Sequence, residues 1–521
     1  MKKKFNISGP CISTMHYMIA PHTRCTDIEH LINEHEYFVL HAARQSGKTT
    51  FLIDLVHRLN EKNECYAIYC SLESVQKIDE PEKGIQAIIN AIKKSIKYHH
   101  YFPKKDFFSN VDYNNGYSTV LVDMLSYLCI NLDKPLVLLF DEVDCLSNGT
   151  LISFLRQLRD GYVNRSTIPF VSSIGLIGMR NIRDYKIRIR EDHDTLGSAS
   201  PFNIVTEVFT LNNFSVDEIK SLLAQHTKQT GQNFSDAVVK KIFAYTQGQP
   251  WLVNAVVREI IVNILKSDEL QAIKPSHVRQ SVQTIIERRD THIDSLLERL
   301  NEGRVQRILT PVITGEAAGF DMTDDDYQYV IDLGLIRTDQ GKISILNPIY
   351  EDVIIRKLSS APQMSMDSKE FPPKLPHYLS NKKIQMKKLL TDFQNFWLEN
   401  SSIWTEKYQY KEAAPHLILL AFLQRVVNHG GSISRELASG RGRLDLCIHY
   451  KNHQYPIEIK IRRNTKTIDE GKIQLWNYMD TLNCEKGWLI IFEKRKTVSW
   501  SKKLFWKTSM IKKKRIYMVG C

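Results

Sequence analysis

"EYFVLHAARQSGKTTFLIDLVHRL" (residues 36–59) opens on a short apolar strand, Tyr37 to Leu40, and passes through a loop of small and polar residues. It then enters an amphipathic helix with apolar side chains at 51, 52, 55 and 59. The loop reads Ala42-x-x-x-x-Gly47-Lys48-Thr49, the Walker A spacing with Ala where the first Gly would stand. In such a loop the backbone around Gln45, Ser46, Gly47, Lys48, Thr49 and Thr50 and the helix N-terminus bind phosphate charge. Lys48 reaches the β/γ oxygens and Thr49 offers a hydroxyl to Mg2+. Gly47 lets the backbone come close, while Ala42 needs only a conformation open to a small residue.

About 90 residues on, "KPLVLLFDEVDCL" carries five apolar residues into Asp141 and Glu142. A buried strand of this kind delivers a Mg2+-binding carboxylate, Asp141, and beside it a water-activating one, Glu142. The alternative is a buried strand ending at a helix N-cap, where Asp is also favoured. Together the two motifs predict an α/β phosphate-loop sheet that binds ATP with Mg2+. "IPFVSSIGLIGMRNIRDY" reads as another buried strand, with Ser172 or Ser173 as a polar sensor of the γ-phosphate and Arg180 after it. "YTQGQPWLVNAVVREII" places Gly248 and Pro250 at the start of an apolar helix.

"HYMIAPHTR", the phosphate loop, "FDEVD", "GMRNIRDYKI", "SPFNI" and "GQPWLVNA" follow one another over residues 16 to 254. This order resembles the AAA-like ATPases related to the STAND class of signal-transduction NTPases. The resemblance implies ATP held between a sheet domain and a helical lid, with Gly248 and Pro250 reading the nucleotide from the lid. No arginine-finger signature stands out, so the resemblance gives no ring. A second copy of the chain is the protein partner it leaves open.

Residues 214 to 285 read as helices broken at 230–234 and 247–250. "DDDYQYVIDLGLIRTDQGKISILNPIYEDVIIRKL" (324–358) then predicts a helix, a hairpin turning at Asp339-Gln340-Gly341 and a last helix, which suggests a winged helix. Its opening Asp324, Asp325 and Asp326 disfavour a phosphate-facing helix and favour a coupling role; they also simply suit a helix N-terminus. "SSAPQMSMDSKEFPPKLP" (359–376), rich in Ser and Pro, reads as a linker.

Behind it comes a helix at about 412–428 and then "GRGRLDLCIHYKNHQYPIEIK" (440–460). Side chains alternate along a strand, so Glu458 and Lys460 share a face. A turn centred on Lys451-Asn452 sets Asp445 opposite Glu458; a turn one residue later sets it opposite Lys460. Either register gathers all three, and carboxylates held close repel unless a cation sits between them. Mg2+ or Mn2+ on Asp445 and Glu458, with Lys460 steadying charge, would activate water against a phosphodiester. The alternative is a solvent-facing salt-bridge cluster. Asp445, the hairpin and Glu458-x-Lys460 resemble the PD-(D/E)XK nuclease superfamily over roughly 380 to 495. Within that resemblance Glu436 matches an extra acidic ligand, and Gln474 and Tyr478 match a Q-x-x-x-Y element. Leu444 stands where the motif's Pro would be. Arg441 and Arg443 add charge suited to a DNA backbone.

Charge supports this division. From Lys374 onward there are 28 Lys and Arg against 12 Asp and Glu, whereas the preceding part holds 42 against 46. A basic back end suggests a polyanion, DNA; a basic surface kept for solubility is the other reading. In the tail, Trp500, Phe505, Trp506 and Tyr517 either form a last strand or stack on bases, and Lys512 to Arg515 either bind a backbone or are solvated charge. Nine scattered cysteines without C-x-x-C predict a reducing, cytoplasmic setting. No apolar run is long enough for a membrane span. At 521 residues the chain should hold several domains. They are an ATPase core at 1–213, a lid at 214–285, a winged helix at 286–358, a linker at 359–378 and a nuclease-like α/β domain at 379–521. The predicted function is an ATP-regulated, metal-dependent DNA endonuclease, placed by family analogy in bacterial defence or mobile-element biology. A signalling or scaffold NTPase whose back domain binds nucleic acid without cutting is the alternative.

Overall fold

The computed structural model describes residues 2–108, 116–178, 204–314, 324–339, 342–367, 374–407, 414–427, 431–435, 446–462, 466–493, 495 and 498–521. The chain divides into two compact units. One comprises Met1–His292 with Gln328–Leu335; the other comprises Ile293–Tyr327 with Ile336–Cys521.

The first unit is built on a parallel five-stranded sheet. Its strands are β1 (Tyr37–His41), β2 (Tyr66–Ser71), β3 (Leu136–Asp141), β4 (Ser173–Gly178) and β5 (Val205–Thr210), in the order β2-β3-β4-β1-β5. β3 and β4 are buried throughout and apolar but for Asp141 at the end of one and Ser173 at the start of the other, as strands covered on both faces must be. One face packs Ile28 and Leu31 of α1 (Asp27–Asn33) and Phe51, Leu52, Leu55 and Leu59 of α2 (Lys48–Lys62) against Phe38 and Leu40. The other packs α3 (Pro81–Lys97), α4 (Val120–Ile130) and α5 (Asn148–Asn164) on Ile68, Leu138 and Phe140. Parallel strands bring their C-terminal ends to one edge, so the phosphate loop after β1 and Asp141 at the end of β3 meet there.

The stretch expected to form the lid is helical, as α6 (Val216–Thr230), α7 (Asp236–Thr246), α8 (Pro250–Arg258) and α9 (Pro275–Arg288), its breaks falling where Gly231 and the 247–250 stretch interrupt the apolar period. α10 (Thr291–Arg299) carries the chain out of the lid, and α11 (Gly303–Thr314) and α12 (Asp325–Asp332) come next. β6 (Ile336–Asp339) and β7 (Lys342–Ile345) pair with Asp339 opposite Lys342, the hairpin the sequence predicts. The aspartates before α12 have local work. Asp324 Oδ1 accepts the N–H groups of Asp326 and Tyr327, and Arg307 donates to both Asp324 and Asp326. Burial raises the Asp324 carboxyl, but Arg307 and those N–H groups outweigh it and hold it below the ordinary value.

One expectation fails here. α13 runs from Pro348 to Asp367, through half of the stretch read as a linker. A helix already nucleated on the buried Ile349, Val353 and Ile354 propagates into Ser- and Pro-containing sequence that would not start one.

After a two-residue ribbon, β8 (Leu379–Ser380) and β9 (Lys383–Ile384), the second unit forms a mixed six-stranded sheet. Its strands are β10 (Ser432–Arg435), β11 (Leu446–Tyr450), β12 (His453–Arg462), β13 (Lys486–Glu493), β14 (Phe505–Ile511) and β15 (Lys514–Gly520). They run in the order β10-β11-β12-β13-β15-β14. Phe492 packs against Phe393 and Trp397 of α14 (Met386–Lys407), beside Phe422 of α15 (Ala414–Val427). α16 (Lys466–Thr481) covers the other face through Leu475 and Met479 on Leu489, Ile491, Ile516 and Met518. β12 and β13, the inner strands, are therefore sandwiched between helices.

Candidate functional site

The phosphate loop joins β1 to α2 through two left-handed residues, Gln45 (φ 57°) and Gly47 (φ 94°), the latter capping α2. Ala42 is buried and has no positive φ, so the Ala that replaces Gly costs the loop nothing there. Lys48, 7% exposed, donates to the carbonyls of Ala42 (2.8 Å) and Ala43 (3.3 Å). Burial lowers its ammonium, while Glu142, Asp141 and Asp144 push the other way. Thr49 Oγ1 donates to Asp141 Oδ2 at 3.0 Å, which joins the two motifs across the sheet edge. Tyr69 Oη, unmarked by any sequence motif, donates to the same oxygen at 3.0 Å, and Asp141 Oδ1 accepts its neighbour's N–H at 3.0 Å.

Glu142 stands in the left-handed region (φ 60°), an uncommon place for a long side chain and one that clusters at functional sites. Burial, Asp141 and Asp144 raise its carboxyl above the usual range against the pull of Lys48. Ser46 Oγ is buried with no hydrogen-bond partner among the described residues, an orphaned donor inside a loop shaped for anions. These groups fit a nucleotide phosphate with Mg2+: Lys48 and the loop would hold the phosphates, Thr49 and Asp141 the cation.

The lid reaches the loop through a residue the sequence reading missed. Gln249, between the predicted Gly248 and Pro250, donates to the carbonyls of Arg44 and Gln45, both at 3.4 Å. Gly248 serves the backbone instead. Its φ is 73°, a Cβ there would lie 1.8 Å from the carbonyl oxygen of Phe214, and its own carbonyl accepts Phe214 N–H at 2.8 Å. Pro250 is the buried first residue of α8. His292 hydrogen-bonds Gln45 Oε1 at 2.6 Å and stacks on Trp251 at 4.9 Å. Arg24 Nη1 donates to Ser46 O at 2.8 Å, and Cys11 N–H to Thr50 Oγ1 at 3.0 Å. A Gln in a lid turn carries no motif, so only the fold discloses it.

The γ-phosphate sensor assigned to Ser173 is corrected. Ser173 opens β4, and that strand pairs His41 of β1 with Gly178 at its far end. The serine thus sits at the edge opposite the phosphate loop, its Oγ donating to Glu36 O at 2.6 Å. Ser172 bonds His35 at the same edge. Arg180 lies outside the described residues.

In the second unit the hairpin takes the first of the two registers, with Leu446 opposite Ile457 and Tyr450 opposite His453. Asp445, Glu436, Arg441 and Arg443 lie outside the described residues. Glu458 (1% exposed) and Lys460 (7%) form an ion pair on a central strand, not on a solvent-facing edge. Each is in register with an apolar neighbour, Leu489 and Ile491, on the face that α16 covers. A Cβ on Gly471 of α16 would come within 3.0 Å of Lys460 Cγ. Gln474 and Tyr478 follow at helical spacing on that inward stripe, and Gln474 Oε1 is buried with no hydrogen-bond partner among the described residues. Among the described residues no three His, Cys, Asp or Glu side chains group as metal ligands. The tail aromatics pack as strands: Trp506 Nε1 donates to Gln394 Oε1 at 2.7 Å, and Tyr517 stacks on Trp488. Among the described residues no helix is long and apolar enough to cross a membrane.

Residues 13–354 match the family described as an AAA-like domain, and residues 385–496 match a domain of unknown function (DUF8371). No curated protein matches the chain. Among solved structures, the Walker-type ATPase PabY2304 of Pyrococcus abyssi is similar over 67% of this chain and 99% of its own, at 12% identity and a TM-score of 0.44. The ORC2 protein of Aeropyrum pernix covers 68% and 97% at 12% identity and 0.34. Cdc6p of Pyrobaculum aerophilum covers 65% and 94% at 19% and 0.35.

Proposed function

The chain belongs to the AAA-like domain family, and from that premise we propose that it is an ATP-hydrolysing switch controlling a metal-dependent DNA endonuclease in its second unit. The observation that carries the switch is the Thr49–Asp141 hydrogen bond beside the buried Lys48. Lys48 and the loop N–H groups would hold phosphate oxygens, and Thr49 and Asp141 would hold Mg2+, which when bound would supply charge neutralisation to the phosphates. Glu142, its carboxyl raised above the usual range by burial and then by Asp141 and Asp144, accepts the proton of an attacking water. Gln249 and His292 read the state of the loop through its carbonyls and Gln45. α10 begins at Thr291, beside His292, and carries the chain toward the second unit.

For the nuclease, the supporting observation is the salt bridge of Glu458 and Lys460, kept on a strand sandwiched between helices. Burying two charges is costly, and apolar replacements of the same volume are often as stable, so the pair is better explained by chemistry than by stability. Glu458 with Asp445 and Glu436 would hold Mg2+ or Mn2+, and Lys460 would orient a water or steady developing charge. Arg441 and Arg443 would meet the DNA backbone, and the basic balance of the back end favours that partner. A role in defence or mobile-element biology follows the resemblance alone, and a second copy of the chain remains the proposed protein partner. The test is plasmid nicking by the full chain with Mg2+ or Mn2+ and ATP. Nicking that vanishes in Glu458→Gln and Lys460→Gln supports the enzyme. DNA binding without cleavage under either metal supports the non-cutting scaffold.

A further inference from the structure

Asp141 is 1% exposed, and its carboxylate is fixed from both sides. Oδ1 accepts the Glu142 N–H, while Oδ2 accepts two hydroxyls, Thr49 Oγ1 and Tyr69 Oη, each bond at 3.0 Å. Tyr69 is on β2, paired with Leu139 two residues before Asp141, and its ring reaches along the sheet edge to the carboxylate. A carboxyl torsion is otherwise broad and nearly two-fold. Because Thr49 gives its proton to Asp141, its oxygen lone pairs are left facing away, available to a cation.

We propose that Tyr69 is a positioning residue of the magnesium site: its phenol locks the Asp141 carboxylate in the orientation that presents Thr49 to the metal. This rests on the nucleotide-switch reading above. The tyrosine touches neither the nucleotide nor the cation in this role. It acts on the carboxylate that acts on Thr49, and outer partners of this kind typically set metal affinity by about 10- to 100-fold.

The experiment uses the full chain with ATP, first in EDTA and then across a Mg2+ titration, following the melting temperature. In Tyr69→Phe the shift produced by ATP in EDTA stays at the wild-type value. The Mg2+ concentration giving half of the additional shift rises about tenfold or more. Tyr69→Leu, which also lacks the hydroxyl, moves it the same way, and Thr49→Ala sets the scale. A purely structural ring would lower every melting temperature equally and leave the Mg2+ midpoint in place, which overturns the proposal while the switch reading stands. A wild-type chain that binds ATP but gains nothing from Mg2+ overturns the proposal and the magnesium reading together.

Discussion

Glu142, half-buried, and His292, buried, are titratable groups shifted in opposite directions, and both shifts tell against the chain on acidification. Glu142 must be ionised to take a proton, and burial beside Asp141 and Asp144 raises its carboxyl. Turnover should therefore fail on acidification at a higher pH than an ordinary carboxylate of about 4.3 would dictate. Glu142→Gln keeps the shape and loses the base; ATPase activity is expected to drop at least about 100-fold with ATP binding retained, measured by phosphate release and by equilibrium binding. Retained turnover would remove Glu142 from the mechanism. His292 is pushed down to about 3 by burial and then by Arg44. The unfolded chain protonates its histidine near 6.5 while the folded one resists, so stability is full above about 6.5 and falls as pH drops toward 3. His292→Gln should flatten the fall in melting temperature between about pH 6.5 and 4. An unchanged profile would mean the imidazole is protonated in the fold.

At the scale of elements, the lid turn is the most exacting. Gly248 combines a left-handed φ with a carbonyl lying where its Cβ would be. Gly248→Ala is expected to cost about 2–4 kcal/mol in denaturant unfolding and to loosen ATP binding, since Gln249 would be carried away from the loop. A near-neutral substitution would show that the turn is not under that constraint. This turn also marks how far the sequence could be read. The strand–loop–helix around Lys48, the Asp141 strand and the lid breaks were legible because period, spacing and loop chemistry agree there. The hairpin register was narrowed to two by the parity of side chains, and only strand pairing chose between them. Gln249 and Tyr69 stayed invisible, because a Gln in a turn and a Tyr in a strand are common, and what distinguishes them is a partner 205 or 72 positions away. Ser173 misled for a related reason: polarity in a strand does not say which end of the sheet it occupies. The helix to Asp367 ran through Ser and Pro because composition near a helix end is a weak stop once packing has begun.

For the whole molecule the question is whether nucleotide state and cleavage are one system. Lys48→Ala removes the buried ammonium of the loop inside the first unit, and the ion pair of Glu458 and Lys460 lies in the second. If the chain is a switch, Lys48→Ala should lose ATP binding and the ATP dependence of plasmid nicking, while the second unit melts as in the wild type. Cutting that kept wild-type ATP dependence in this variant would refute the coupling. The reverse experiment needs care, because Glu458→Ala breaks a buried ion pair, a change that typically costs about 3–5 kcal/mol. Loss of nicking in that variant could then reflect unfolding alone. Glu458→Gln retains a polar partner for Lys460, and its melting temperature can be compared with that of the double change Glu458→Gln, Lys460→Met. With both charges removed, the fold is expected to be as stable as the wild type or more so, while nicking is abolished and ATP hydrolysis is unaffected. A double variant that instead unfolds would assign the pair to structure, and the non-cutting reading of the second unit would then be the one to pursue.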